Sequence, residues 1–147
     1  MAQATPSASI GETDLSKLLR SLTWECAAGE YMFCTAPPGF QLPQGVDPQM
    51  VFNERGRGTT YVVLADDVAK LDEVVRSTAT LRSKMITLTV HSSLEAVGFI
   101  AEISRRLAER SIPCNVVAAY FHDHLFIAPD KVDDVLLTLS EIQRRRE

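Results

Sequence analysis

The run from Lys84 to Asp130 constrains the fold of this chain more than any other stretch. It reads KMITLTVH, then SSLEAVGFIAEISRRLAERS, then IPCNVVAAYFHDHLFIAPD. Ile86, Leu88 and Val90 alternate and predict a strand over Met85–Val90. Ser92-x-x-Glu95 has the form of a capping box, in which two orphan N–H groups are satisfied reciprocally, and predicts a helix opening there. Leu94, Val97, Ile100, Ala101, Ile103, Leu107 and Ala108 give that helix a wide apolar face suited to packing on a sheet. Gly98 falls inside its first two turns, where Gly costs about 1 kcal/mol against Ala. Close packing against a strand and close approach of a ligand are the two accounts of it. Ile112–Phe121 reads as a strand and Leu125–Ala128 as its partner, with His122, Asp123 and His124 at the turn. Asp130 caps a last helix whose core face is Val132, Val135, Leu136, Leu139 and Ile142.

This order, β-α-β-β-α, is a split βαβ unit of ferredoxin-like type that lacks its fourth strand. An open sheet edge there would be an aggregation hazard. A strand from the first half of the chain, or from a second copy, is therefore expected to cover it.

The first half supplies strands in an incomplete order. Leu15, Leu18, Leu19 and Leu22 make one helical stripe behind Thr13 or Asp14 as cap. Glu30–Thr35, Gln49–Asn53 and Thr59–Leu64 read as strands, the last two joined by a turn in which Gly56 and Gly58 supply the geometry. Between them runs a loop from Ala36 to Pro48 with four prolines, a length that is usually functional or mobile. Ala65–Arg76 reads as a helix buried through Val68, Leu71, Val74 and Val75. Ser77–Ser83 is a polar connector. The expected organisation is a flexible tail over residues 1–12, one unit over 13–82 and a second over 83–147. The simplest architecture is two such units that complete each other.

The totals exclude several function classes. The chain has 147 residues, a net charge of −4, and 46% hydrophobic and 23% charged residues. That is one ordinary globular domain or two small units sharing a core. Phosphate-backbone binding needs clustered Lys and Arg, and the one basic cluster, Arg144–Arg146, better complements a helix C-terminus. Three cysteines without a C-x-x-C pair fit a reducing compartment and no structural zinc. The first twelve residues have no secretory pattern and no apolar run is long enough to span a membrane, so a cytoplasmic location is expected. Nucleophile-elbow, phosphate-loop and H-E-x-x-H templates are absent.

The string VHSSLEAVGFIAEISRRLAERSIPCNVVAAYFHDHLFI resembles the ACT-domain superfamily, regulatory modules that bind amino acids or other small metabolites. More narrowly it is similar to small stand-alone proteins built from two ACT-like units. SSLEAVGF, CNVVA and HDHLF carry the narrow match, which covers Ile86–Ala128; LLRSL, EYMFCT and VFNERGRGTTYVVL match more loosely. The resemblance implies an α+β, ferredoxin-like (βαββαβ) ACT fold, with two units, antiparallel sheets and helices on one face. It also implies ligand binding at an interface between units, through the first strand–helix loop and the neighbouring second strand. On this chain those positions are His91, Ser92, Ser93, Leu94, Ala96, Val97 and Gly98, and Asn115, Val116 and Val117.

Elementary chemistry agrees with that placement. A helix N-terminus offers free N–H groups and a positive dipole end to a carboxylate. Ser92 and Ser93 can add hydroxyl donors, and Asn115 can read an α-amino group or an amide. The competing account makes Ser92 a cap and lets Asn115 satisfy a strand-end backbone group.

His122-Asp123-His124 is the most enzyme-like string. Residues two apart on a strand point the same way, so the two histidines, with His91, could form a three-His zinc site. The plainer reading is a hairpin turn held by Asp123, with the histidines at an interface and titrating near pH 6.5. The sequence thus points to a non-catalytic sensor of a small molecule, expectedly an amino acid, working as a homodimer without cofactor or metal. The alternatives are a protein-interaction adaptor with a vacant ligand site, and a His-centred metal enzyme.

Overall fold

The computed structural model describes residues 11–145. Most of the expected N-terminal tail lies outside the described residues, but its last two residues are not a loose end. The Glu12 N–H donates to the His91 carbonyl at 3.0 Å, and the Glu12 carbonyl accepts from the Ser93 N–H at 2.9 Å. A side chain at Gly11 would meet the Ser93 nitrogen at 2.6 Å, so only glycine fits that approach.

Helix α1 (Leu15–Arg20) is capped by Asp14, whose side chain accepts from the Lys17 N–H at 2.9 Å. Strands β1 (Trp24–Cys26), β2 (Tyr31–Ala36), β3 (Met50–Asn53) and β4 (Thr59–Leu64) follow. The sequence reading lacked β1, which at three residues is too short to show alternation. The proline-rich segment between β2 and β3 forms no helix. It packs Phe40, Leu42 and Val46 against Cys34, Tyr61 and Val63, covering the sheet where the first helix of a ferredoxin-like unit would lie.

The helix expected over Ala65–Arg76 is broken in two: a 3-10 turn (Ala65–Lys70) and a short α2 (Glu73–Arg76). Leu71 between them is extended (φ −81, ψ 150), which lets both Leu71 and Val75 reach the core while Val74 stays 59% exposed. Strand β5 (Thr80–Leu88) then starts earlier than the sequence predicts and absorbs much of the expected connector. Helix α3 (Phe99–Glu109), strands β6 (Asn115–Ala118) and β7 (Asp123–Ile127), and helix α4 (Val132–Arg144) complete the chain.

All strand pairs are antiparallel, in the order β3-β4-β2-β5-β7-β6, with β1 also on β5. The first residues of β5 pair with β2 (Tyr31 opposite Ser83) and its later ones with β7 (Leu88 opposite Asp123). β1 lies against the same later residues, with Trp24 opposite Leu88. The missing fourth strand of the second half is therefore β1, and the fourth strand of the first half is the start of β5. Each unit is closed by the other's chain, and Ile86–Leu88 of β5 are paired on both edges, by β1 and by β7.

Leu18, Leu22, Ile86, Leu88, Phe99, Ile103, Leu107, Leu125, Ile127 and Leu139 form the principal core between sheet and helices. On the opposite sheet face Tyr31, Val62, Met85 and Phe126 form a third cluster that crosses both units, with Phe33 edge-on to Phe126 at 5.2 Å.

Candidate ligand site

The predicted capping box does not form. Ser93, not Ser92, accepts from the Glu95 N–H (3.1 Å), while the Ser92 hydroxyl turns toward the Asp123 carboxylate (3.4 Å). Gly98, with φ +92, is the N-cap, so the helix begins at Phe99 and the run from Ser92 to Val97 is a loop. The backbone pairing of Glu12 with this loop, described above, competes with helix formation and wins. Leu94 and Val97, predicted to face the core, are 68% and 84% exposed instead.

A cavity of about 190 Å³ lies between this loop, the start of α3 and the end of β6. Ser92, Ser93, Leu94, Ala96 and Gly98 of the predicted set line it, joined by the first turn of α3, Ala118, Ala119 and Asp123. His91 and Val97 do not line it. The His91 ring stands 5.9 Å from that of Phe121, which is itself 4.8 Å from that of Tyr120.

Strand alternation decides the rest. Asp123 shares a face with Leu125 and Ile127, the face that carries the helices. On β6, Val116 and Ala118 point to that face and Asn115 and Val117 to the other. Val116 is thus taken up by the principal core and Val117 by the third cluster. Asn115, opposite Phe126 in register, looks away from the cavity. Asp123 was a turn residue in the sequence reading. Its position two residues before Leu125 and four before Ile127, on the one strand face those apolar residues share, is the signal that it points inward.

Asp123 is 8% exposed. Burial pushes its carboxyl pKa up, against the opposing pull of the Ser92 hydrogen bond and of His124 and His122. A buried carboxylate with one long hydrogen bond is under-solvated, and a cation beside it would restore what burial removes. Below the loop, the first turn of α3 (Phe99, Ile100, Ala101) lines the same space, and its N–H groups have no side-chain cap; the first intrahelical acceptor is the Gly98 carbonyl, bound by Glu102.

The histidines do not converge. His124 lies on the opposite sheet face, its Nδ1 2.8 Å from the Thr87 hydroxyl. Burial holds its pKa below the ordinary value, with His122 adding to the effect. His91 lies tilted against Phe121. Among the described residues no group of three His, Cys, Asp or Glu side chains is placed to hold a metal ion. The three-His arrangement is therefore not assembled. Cys34 and Cys114 have thiols raised by burial, Cys114 to about 11, which suits packing rather than nucleophilic chemistry.

The sequence profile of the ACT domain matches residues 10–74 and, in a second form, residues 80–141. No curated protein matches the chain. Among solved structures, a protein of unknown function from Vibrio cholerae, described as a possible transport protein, is 35% identical. That match covers 88% of this chain and 96% of the other, with a TM-score of 0.75. A protein from Agobacterium tumefaciens shares 16% identity over 83% and 89% of the two chains, with a TM-score of 0.63. The regulatory subunit of aspartate kinase from Thermus thermophilus, in its ligand-free form, shares 9% over 84% and 97%, with a TM-score of 0.61. At these lower identities the likeness is one of fold.

Proposed function

The chain belongs to the ACT-domain family, and from that premise we propose that it is a non-catalytic sensor that binds a free amino acid in the cavity beneath the Ser92–Gly98 loop. Asp123 carries this reading. An α-ammonium group set against its buried carboxylate gains a charge-assisted hydrogen bond in a water-poor place. The α-carboxylate then faces the first-turn N–H groups of α3, where the helix dipole favours negative charge. The side chain of the amino acid points out past Leu94. Ammonium and carboxylate recognised at two ends of one small cavity would select a zwitterion over a simple amine or acid.

Binding would order the loop and alter the surface around it. Leu94, Val97, Tyr120 and Phe121 are all more than half exposed at that end of the fold, and a second copy covering them gives the homodimer this reading includes. The same apolar surface favours the second reading, an adaptor whose partner docks there with the cavity empty. The three free thiols suit a cytoplasmic setting, and no described helix is long and apolar enough to cross a membrane.

The test is a thermal-shift screen with free amino acids at millimolar concentration. A ligand at about 100 times its Kd stabilises by roughly 2.7 kcal/mol. One or two hits lost in Asp123→Asn support the sensor. A flat screen together with a folded, partner-binding protein favours the adaptor.

A further inference from the structure

We propose that the groove between α1, α3 and α4 is a second binding site, for a small organic phosphate. It is a space of about 260 Å³ on the helical side of the molecule, with no lining residue in common with the cavity at Asp123. Four arginines line it: Arg20 from α1, Arg105 and Arg106 from α3, and Arg145 just past α4. One carboxylate, Glu102, stands among them. Four positive charges against Glu102 and against Glu109, which pairs with Arg105 from the edge, leave an excess of +2 in a chain whose net charge is −4.

The arginines are partly fixed before any ligand arrives. Arg105 Nη2 and Arg106 Nε each donate to Glu102, at 2.9 and 3.0 Å, and Arg105 also pairs with Glu109. The Arg106 side chain is only 16% exposed, so it is held in place. Among the described residues no carboxylate pairs with Arg20 or Arg145. The helix C-termini beneath these two account for part of their placement. They do not account for their meeting two further arginines across a groove.

Planar guanidinium forks match phosphate oxygens bidentately. A phosphate ester carries close to two negative charges at neutral pH and neutralises most of the excess; a lone carboxylate neutralises less. Leu19 and the nearly buried Ile142 form an apolar side to the groove, which an organic group attached to the phosphate can cover. The size suits a small metabolite, and the negative charge of the rest of the chain disfavours a long polyanion.

α1 links this groove to the first cavity. Leu15 lines the groove and also packs beside Gly98. An occupant that draws α1 toward α3 thus acts on the loop that closes the amino-acid cavity.

The experiment is a calorimetric and NMR titration of the whole protein with phenyl phosphate at constant ionic strength, with sodium chloride as the control. Saturable binding is expected, with amide shifts in α1 and α3, weakened about tenfold or more in the exposed double variant R20Q/R145Q, a difference of about 1.4 kcal/mol. Glu102→Gln removes the carboxylate that holds both Arg105 and Arg106 and should tighten binding. Asp123→Asn should leave it intact, which separates this site from the amino-acid reading. No saturable binding, equal affinity in R20Q/R145Q, or an equal response to sodium chloride overturns the proposal.

Discussion

Leu15 occupies the space into which a side chain at Gly98 would grow: a Cβ there would lie 3.3 Å from Leu15 Cδ2. Gly98 also sits at φ +92, a conformation that L side chains rarely adopt. Gly98→Ala should therefore destabilise the protein by about 1–3 kcal/mol. Urea unfolding measures this. A variant as stable as the parent would show that the loop accepts another path into α3.

Asp123→Asn should behave differently. It removes a carboxylate that burial disfavours while keeping the shape and a partner for Ser92. The melting temperature near neutral pH should hold or rise, while amino-acid binding is lost. A site whose removal stabilises the fold is one kept for a ligand. A clear fall in melting temperature would make Asp123 a structural residue.

The pH dependence of stability should carry the mark of His124. Its folded pKa lies below the ordinary 6.5, so the unfolded chain takes up the proton first. The stability conferred by neutral His124 is whole above pH 6.5 and is lost as pH falls toward the folded value. Urea midpoints should drop as pH falls below 6.5, and drop less in His124→Gln. Asp123 acts the other way lower down: its folded pKa is raised above 3.8, so stability falls as pH climbs from there through that higher value. A midpoint drop of equal size in His124→Gln would sink the assignment.

Thiol accessibility should divide one against two. Cys26 is exposed, whereas the Cys34 and Cys114 thiols are raised by burial. At mildly alkaline pH an aromatic disulfide reagent should react quickly with one thiol in the folded protein and with all three after denaturation. Two fast thiols would place Cys114 on a mobile strand.

The second unit should not stand alone. A fragment from Thr80 onward lacks β1 and leaves an edge of β5 unpaired along Ile86–Leu88. It should aggregate or self-associate, and a peptide spanning Gly11–Glu30 should restore a folded, monodisperse species. A well-behaved fragment by size-exclusion chromatography and circular dichroism would overturn the mutual-completion account.

The sequence made the second half legible because its signals are long and periodic. Ile86 and Leu88, Ile103 and Leu107, and Val135, Leu139 and Ile142 all lie in the core that their spacing implied. The need for a borrowed strand followed from counting strands, although β1 itself was too short to see. The start of α3 was misread because Ser92 and Glu95 have the right local chemistry, while the contact that overrides it comes from Glu12, far off in sequence. Residues on β6 were grouped as one binding segment, but the pleat divides them, sending Asn115 away from the cavity, while Ala118 and, on the neighbouring β7, Asp123 face it. The arginine groove was invisible for the same reason: Arg20, Arg105 and Arg145 come together only when three helices pack.

β5 bends at Leu81, where φ is +56, yet stays paired on both sides of the bend. One strand serving as the spine of both units leaves no linker between them to act as a hinge. The clam-like closure by which two-lobed receptors trap their ligands is denied to this chain. On the proposed sensor reading its message has to be local: a loop that stiffens, a rim of aromatic side chains that shifts, and a listener in contact with that rim.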